Sequence, residues 1–417
     1  MSGIAIGVDI GTSGVRAALV DAGGLPLAWG AAPLPSERRR EPQAWWHAVE
    51  QALDALRGGT DLSAVRAIAV DGTSGTVLSV DVSGTPLGPA SMYNDPAPPD
   101  QVARVAAVAP LESAAHGATS PLAKVLAMQD AITVGRVLHQ ADWIAGRLCG
   151  RFDVSDENNA LKTGYDPISR QWPDWLAALG VTRARLPDVV EPGTILAPLT
   201  PEAAVRFGLP RTCAVVAGTT DGCAAFLATG ANEAGDGVTS LGSTLTIKLL
   251  SDAPVFAPRY GIYSHRLAGR WLPGGASNSG GAALARHFDA ATLARLSAAI
   301  DPATDSGLDY YPLPAPGERF PIAAPAMLPR ETPRPASDVL FLHGLLEGIA
   351  KLEALAFARL AELGAPRLRR VRTVGGGARN PAWTALRARI LGVEMAPARS
   401  EEAAVGAASL ALRGWRA

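Results

Sequence analysis

Apolar residues run almost unbroken from Ile4 to Val8 and again from Val15 to Val20, and the polar turn Asp9-Ile10-Gly11-Thr12-Ser13-Gly14 separates them. Short apolar runs bounded by glycine and hydroxyl residues predict buried strands. A further turn at Asp21-Ala22-Gly23-Gly24 makes residues 4–30 a three-strand meander. The period then changes. Glu41 to Leu56 carries apolar positions at helical spacing and predicts an amphipathic helix. Val65 to Val70 returns to the strand pattern and ends in Asp71-Gly72-Thr73-Ser74-Gly75, with Thr76 to Val80 following. Residues 100–150 read as helical, with Leu122, Val125, Leu126 and Ile132 on one face and Trp143, Ile144 and Leu148 on another segment. Asp156, Glu157, Asn158, Asn159, Lys162 and Tyr165 crowd hydrogen-bonding groups into a short span, as either a surface loop or the wall of a polyol pocket does.

Near mid-chain, Ala214 to Gly230 reads as an apolar strand, a turn Gly218-Thr219-Thr220-Asp221-Gly222 and a small-residue helix from Cys223 to Thr229. An Asp at a helix start is an ordinary N-cap, and the same position sets a carboxylate where a strand gives way to a helix. Gly237 to Leu250 follows as a hairpin with Ser240-Leu241-Gly242-Ser243-Thr244 between its strands. Gly7 to Gly14 and Gly237 to Thr244 thus share a strand and a glycine-plus-hydroxyl turn, each followed by a returning apolar strand. Two such hairpins, each opening one half of the chain, predict two related lobes facing across a cleft, residues 1–230 and 231–417. The second half continues with the glycine-rich Trp271 to Gly281 before a helix and a proline-rich connection from Asp309 to Pro335. A long helical pattern covers Leu340 to Leu363. A strand, Arg370 to Val374, delivers Gly375-Gly376-Gly377-Ala378-Arg379-Asn380 to a helix over Pro381 to Leu391. Glu402 to Leu412 closes the chain as a small-residue helix able to pack close to a neighbour.

Length and charge narrow the class. The 417 residues exceed one ordinary core, and 48% apolar with 18% charged residues describes a globular protein rather than a disordered one, to which the strands and helices above add an α/β class. A net charge of -1 supplies no field for nucleic acid or anionic membrane, and Arg38-Arg39-Arg40 is flanked by Glu37 and Glu41. The three cysteines and six histidines lack metal-ligand spacing, which argues against a disulfide framework and a zinc site. No apolar run reaches the roughly 18 residues of a membrane span, and the first strand begins by Ile4, so a cytoplasmic protein is expected.

The chemistry lies in the turns. Successive backbone N–H groups of a glycine-rich turn form a concave donor site for anions, and Ser or Thr hydroxyls add donors. Two such turns facing each other would grip a polyphosphate. The G-x-x-x-x-G-K-[ST] loop, the protein-kinase signatures and a G-x-S-x-G elbow are all missing from the chain. Phosphoryl transfer needs charge neutralisation, donors for phosphate oxygens and a carboxylate to take a hydroxyl proton. Asp9, at a strand end beside the first turn, suits Mg2+ held through water, and Asp221 suits the base.

These residues resemble an FGGY carbohydrate kinase, a member of the actin, sugar kinase and heat-shock ATPase superfamily. The matching pieces are Asp9-Ile10-Gly11-Thr12-Ser13-Gly14, Gly218 to Gly222, Gly242-Ser243-Thr244 and Gly375-Gly376-Gly377-Ala378-Arg379-Asn380-Pro381-Ala382-Trp383, in the family's order. The resemblance implies two ribonuclease-H-like lobes of the actin/hexokinase ATPase type, with nucleotide and sugar in the cleft between them. It implies ATP and Mg2+ as cofactors and a small-molecule sugar as substrate, without nucleic-acid or membrane partners, in a monomer or homodimer. Asp221 would be the catalytic base and Asp9 would support metal and substrate, with Asp221 a second metal contact. Gly11, Thr12, Ser13 and Arg16 would attend the phosphates, as would Gly242, Ser243 and Thr244, while Gly376, Gly377, Asn380 and Trp383 would line the adenosine site. For Trp383, packing in a helix core is an equal alternative. Asp71-Gly72-Thr73-Ser74-Gly75-Thr76, Asn158 to Tyr165 and Gly307 to Pro314 resemble the short xylulokinase-like branch of cyanobacteria and plants, which implies a D-ribulose kinase with D-xylulose as the other substrate. Its sugar contacts would map to Asp9, Ser74 and Asp221. The different class of function open to this superfamily is a chaperone-like ATPase.

Overall fold

A computed structural model describes residues 3–129 and 135–416. The chain divides into two compact units. One comprises residues up to Ala228, the segment His265–Gly269 and the C-terminal stretch from Glu402; the other comprises Thr229–Ser264 and Arg270–Glu401.

In the first unit the meander forms as its pattern predicts, with strands Ile4–Ile10, Gly14–Val20 and Pro26–Pro33. Ile4–Ile10 then pairs in parallel with Val65–Gly72, which pairs in parallel with Ala214–Thr220, and Ile195–Pro198 closes the edge antiparallel. Because side chains alternate across a strand, Ile6, Val8, Ile10, Ile68 and Val70 enter one core with Trp45 and Trp143. Ala5, Ala67, Ala69 and Val216 enter a second core on the opposite face. The helix Pro42–Arg57 covers the first face, its amphipathic stripe buried and Pro42 at its first turn.

The opposite face is made of small residues, and the C-terminal helix Ala403–Arg416 lies on it. Chain order assigned this helix to the second half; its contacts put it on the first unit's sheet. The close approach the sequence anticipated is present. A Cβ on Gly7 would fall 1.9 Å from the Ala404 carbonyl oxygen, and one on Gly406 would fall 1.8 Å from that of Ala224.

Residues 100–150 differ from the helical expectation. Helices Pro99–Val108, Pro121–Gln129 and Gln140–Cys149 are present, but Arg136–His139 is a strand paired with Val77–Val80. Four residues are too few for a period to register, so the ladder partner decides. Leu122, Val125 and Leu126 are buried as expected, whereas Ile132 lies outside the described residues.

The second unit repeats the plan. Its sheet runs Arg270–Ser277, Leu245–Leu249, Asp236–Leu241, Arg370–Val374, Glu394–Ala396, again an antiparallel hairpin joined in parallel to a later strand. Trp271 to Ser277, read as a glycine-rich lead-in, is thus a sheet strand. The predicted long helix spans Asp338–Glu362, and the last glycine turn feeds a helix over Pro381–Leu391. No described helix is long and apolar enough to cross a membrane.

Gly7→Val is expected to lower stability by about 3 kcal/mol or more, since the intruding side chain meets backbone rather than a movable side chain. The measurement is the denaturant midpoint, and an unchanged midpoint would refute the close seating of the C-terminal helix.

Candidate functional site

The alternation that buries Ile6, Val8 and Ile10 on one face places Ala5, Gly7 and Asp9 on the other. Parallel pairing sets these three level with Ala67, Ala69 and Asp71. Two carboxylates therefore meet at the C-terminal ends of neighbouring strands, where open α/β sheets hold their ligands. On the third strand Thr219 is level with Asp71, and a helix starts at Asp221. The turn expected over Gly218 to Gly222 does not form: the strand continues to Thr220 and the helix follows at once. The register shifts between Val216 and Thr219, and a side chain at Gly218 would lie 1.7 Å from the Val70 carbonyl oxygen. Glycine there lets the strand bulge against its neighbour and aim Asp221.

Asp71 is fully buried, and no donor reaches either of its carboxylate oxygens. Its near partner is the Asp9 carboxyl, and two carboxyls bond only with a proton between them. Burial raises the Asp71 pKa well above the usual range, and the Asp9 and Asp221 charges add to this. Asp9 is raised too, first by burial and then by Asp221 and Glu402, against the lowering effects of the Asp71 contact and of Arg16. Arg16 lies 3.8 Å from Asp9 and 3.5 Å from Glu402, with its side chain more than half exposed. Asp221 Oδ1 accepts the N–H of Gly222 at 2.6 Å.

Asp71 was not among the residues picked from the sequence. Its signal was there, since Val70-Asp71-Gly72 ends a strand as Val8-Asp9-Ile10 does. Around it, the Thr73 N–H and hydroxyl donate to Gln140 Oε1 at 3.1 and 3.0 Å, and Thr76 Oγ1 accepts the Tyr93 N–H at 3.0 Å. The following turn is thereby fixed, and it carries Ser74, whose hydroxyl is hidden without a protein partner. Within the polar span, Asp156 to Asn159 are all buried, so the surface-loop alternative does not hold for them. Asp156 caps the helix Glu157–Leu161, and Asn158 Nδ2 donates to Thr219 Oγ1 at 2.9 Å, bracing the strand just ahead of Asp221. The turn at Gly11, Thr12 and Ser13 is closed by Gly11 N–H to Gly14 O at 3.0 Å, with Ser13 exposed.

The remaining predicted residues belong to the second unit, where a cavity of about 830 Å³ opens. Gly242 and Ser243 line it, with Gly376, Gly377, Asn380 and Trp383, whereas Thr244 does not. Thr244 instead closes the turn, its carbonyl accepting the Gly242 N–H at 3.2 Å. Asn380 caps the helix Pro381–Leu391 by accepting from the Trp383 N–H at 3.0 Å. Trp383 is buried in the core, as the packing alternative expected, and also lines the cavity, with Nε1 donating to Leu346 O at 3.1 Å. Beneath the two strands that deliver these turns, Arg387 pairs with Glu353 through bonds of 2.6 and 2.7 Å. Glu353 accepts from Thr239 at 2.5 Å, and Arg387 donates to Thr373 at 2.8 Å. Thr239 and Thr373 face each other in register, so this ion pair ties both strands to both helices.

Asp9 and Asp221 have the chemistry of a Mg2+ site: hard oxygen donors and an excess of negative charge, with Arg16 near Asp9. Among the described residues no three acidic, histidine or cysteine side chains form a direct ligand set. The fit is therefore to an ion held through its own waters and by a nucleotide's phosphates.

Residues 230–415 match the C-terminal domain, and residues 127–228 the N-terminal domain, of the FGGY family of carbohydrate kinases. The chain is 28% identical to the xylulose kinase of Escherichia coli strain K12, covering 94% of this chain and 85% of that protein. It superposes on the xylulose kinase of Rhodospirillum rubrum with a TM-score of 0.83 at 26% identity, covering 98% and 89% of the two chains. The gluconate kinase of Lactobacillus acidophilus shares the fold, with a TM-score of 0.83 at 18% identity over 99% and 89%. The strand-end carboxylates, the glycine-hydroxyl turns and these matches agree that the chain belongs to the FGGY family of carbohydrate kinases, phosphotransferases with an alcohol group as acceptor.

Proposed function

We propose that this chain is a cytoplasmic, ATP- and Mg2+-dependent ketopentose kinase that converts D-ribulose to D-ribulose 5-phosphate. The observation that carries this reading is the grouping of Asp9, Asp71 and Asp221 at the ends of three adjacent strands. The unpartnered Ser74 hydroxyl, on the turn after Asp71, supplies a sugar contact.

In this reading Asp221 takes the proton of the sugar's 5-hydroxyl as that oxygen bonds to the γ-phosphorus and the bridging bond to ADP breaks. Asp9 accepts hydrogen bonds from the sugar and from the ion's water. Asp71 keeps its proton and holds the Asp9 carboxyl in one orientation. Gly11, Thr12, Ser13 and Arg16 attend the transferring phosphate. Gly242 and Ser243 bind the nucleotide's phosphates, on a turn that Thr244 closes, with Gly376, Gly377, Asn380 and Trp383 around the adenosine. When bound, Mg2+ neutralises charge developing on the phosphate oxygens. The resemblance of Asp71 to Thr76 and Asn158 to Tyr165 favours D-ribulose, whereas the xylulose kinase named among the relatives favours D-xylulose as the second reading. The two sugars differ in the orientation of one hydroxyl, and such discrimination rests on whether a buried polar partner is satisfied.

A coupled ADP-release assay over a panel of pentuloses should show turnover that depends on sugar and is highest with D-ribulose. A higher kcat/KM with D-xylulose would transfer the assignment to the second reading, and turnover indifferent to every sugar would sink both. Asp221→Asn should lose about 10²- to 10⁴-fold in kcat, the range of general-base catalysis, while its ADP affinity by calorimetry stays within threefold of the parent; near-normal turnover would remove Asp221 from the role. The raised Asp71 pKa also fixes a pH dependence. A carboxyl that holds its proton more tightly folded than unfolded loses its contribution to stability as pH rises above the ordinary carboxylate range. Asp71→Asn has no charge to bury, so its denaturant midpoint should gain on the parent's between pH 5 and pH 9. A constant difference across that range would contradict the shared proton.

A further inference from the structure

The cavity in the second unit runs from the exposed Gly242 and Ser243 to a wall made of Ala285, Ala290, Leu293, Ala294, Ala298 and Pro381. A nucleotide whose phosphates meet Gly242 and Ser243 lays its base against that wall. The polar side chains at this end are few, and protein partners already engage them. Asn380 accepts the Trp383 N–H through Oδ1 and donates through Nδ2 to Ser297 Oγ at 2.8 Å. Trp383 Nε1 is bonded to the Leu346 carbonyl. Arg379 is exposed at the rim. What remains is mixed: the Ser297 hydroxyl can donate its hydrogen or accept through its second lone pair, and Asn380 keeps one N–H and one carbonyl lone pair. Such groups meet the ring nitrogens N3 and N7 that all purines carry, and a rotating hydroxyl serves a 6-amino donor and a 6-oxo acceptor alike.

Strong discrimination between bases arises when the wrong one strands a buried polar group of the site. None of the buried, unpartnered polar atoms among the described residues belongs to a residue lining this cavity. We infer that the kinase takes its phosphoryl group from purine nucleoside triphosphates with little regard for the base, holding the ring by apolar contact against the alanine wall. This rests on the proposed kinase reading for the reaction, and on the cavity alone for binding. Pyrimidines, with less apolar area, are the poorer donors, because an apolar pocket discriminates on size by only about 10- to 200-fold.

Two measurements on the full chain test this. In the first, the sugar phosphate formed from the best pentulose is quantified with ATP, GTP, ITP or UTP. The kcat/KM values for GTP and ITP should lie within about tenfold of that for ATP, with UTP lower by about 10- to 200-fold. A thousandfold deficit for GTP and ITP, with ATP active, overturns the inference and leaves the kinase intact. In the second, ADP, GDP and IDP are titrated calorimetrically, which decides the question even if no pentulose is phosphorylated. Dissociation constants within tenfold of one another support it, and binding of ADP without GDP and IDP overturns it. Ser297→Ala should shift the three purine donors by the same factor; a loss confined to ATP would show that the base edge is read and would likewise overturn the proposal.

Discussion

Parallel pairing of Ile4–Ile10 with Val65–Gly72, and of Val65–Gly72 with Ala214–Thr220, is the constraint on which the first unit's chemistry depends. Each strand comes from a different part of the chain, and a parallel ladder makes all of them end on the same side. In-register pairing then lays Asp9 against Asp71 with no further choice of geometry. A one-residue slip of either strand would turn its carboxyl into the opposite core, among Ile6, Val8 and Ile68.

Burying carboxyls in this way is unfavourable, and the two units meet that cost differently. In the first unit burial pushes the Asp71 pKa up, towards the form that carries no charge beside Asp9. In the second unit Glu353 remains paired with Arg387, two bonds join the guanidinium to the carboxylate, and Thr239 and Thr373 satisfy remaining positions. A pair so complete is worth little against an apolar replacement, yet removing one partner would leave a buried charge, a loss of about 3 to 5 kcal/mol. It holds the glycine turns of the cavity in place through the strands behind them. The first arrangement tunes a proton and the second fixes a backbone.

The repeated sheet order explains why one plan serves two tasks. In both units the first strand of a hairpin pairs in parallel with a later strand, so both present turns at the same edge. The residues at and just beyond each strand end set the chemistry. The carboxyl groups of Asp9 and Asp71 line the first edge, while Gly242, Ser243 and Gly375 to Gly377 make the second an array of backbone donors. The gluconate kinase with the same fold shows that this framework does not specify the sugar.

The strands, their turns and the duplication were legible in the chain because they are local: apolar runs of strand length, glycines where a turn needs them, Pro42 and Pro381 at helix starts. The catalytic candidates Asp9 and Asp221 could be picked because each lies next to such a boundary. Register, which joins residues far apart in sequence, was not legible. It alone brings Asp71 to Asp9, turns the expected Gly218 loop into a bulged strand, and returns the C-terminal helix to the first sheet. Burial was hidden for the same reason. Asp156 to Asn159 looks like solvent-facing chain until Thr219 and Arg266 enclose it. The alanine wall beside Asn380 carries no signal of its own, since small apolar residues become a base pocket only when helices from separate segments fold around one space. Local period and turn chemistry determined the elements; pairing and enclosure in three dimensions decided which of their residues can act together.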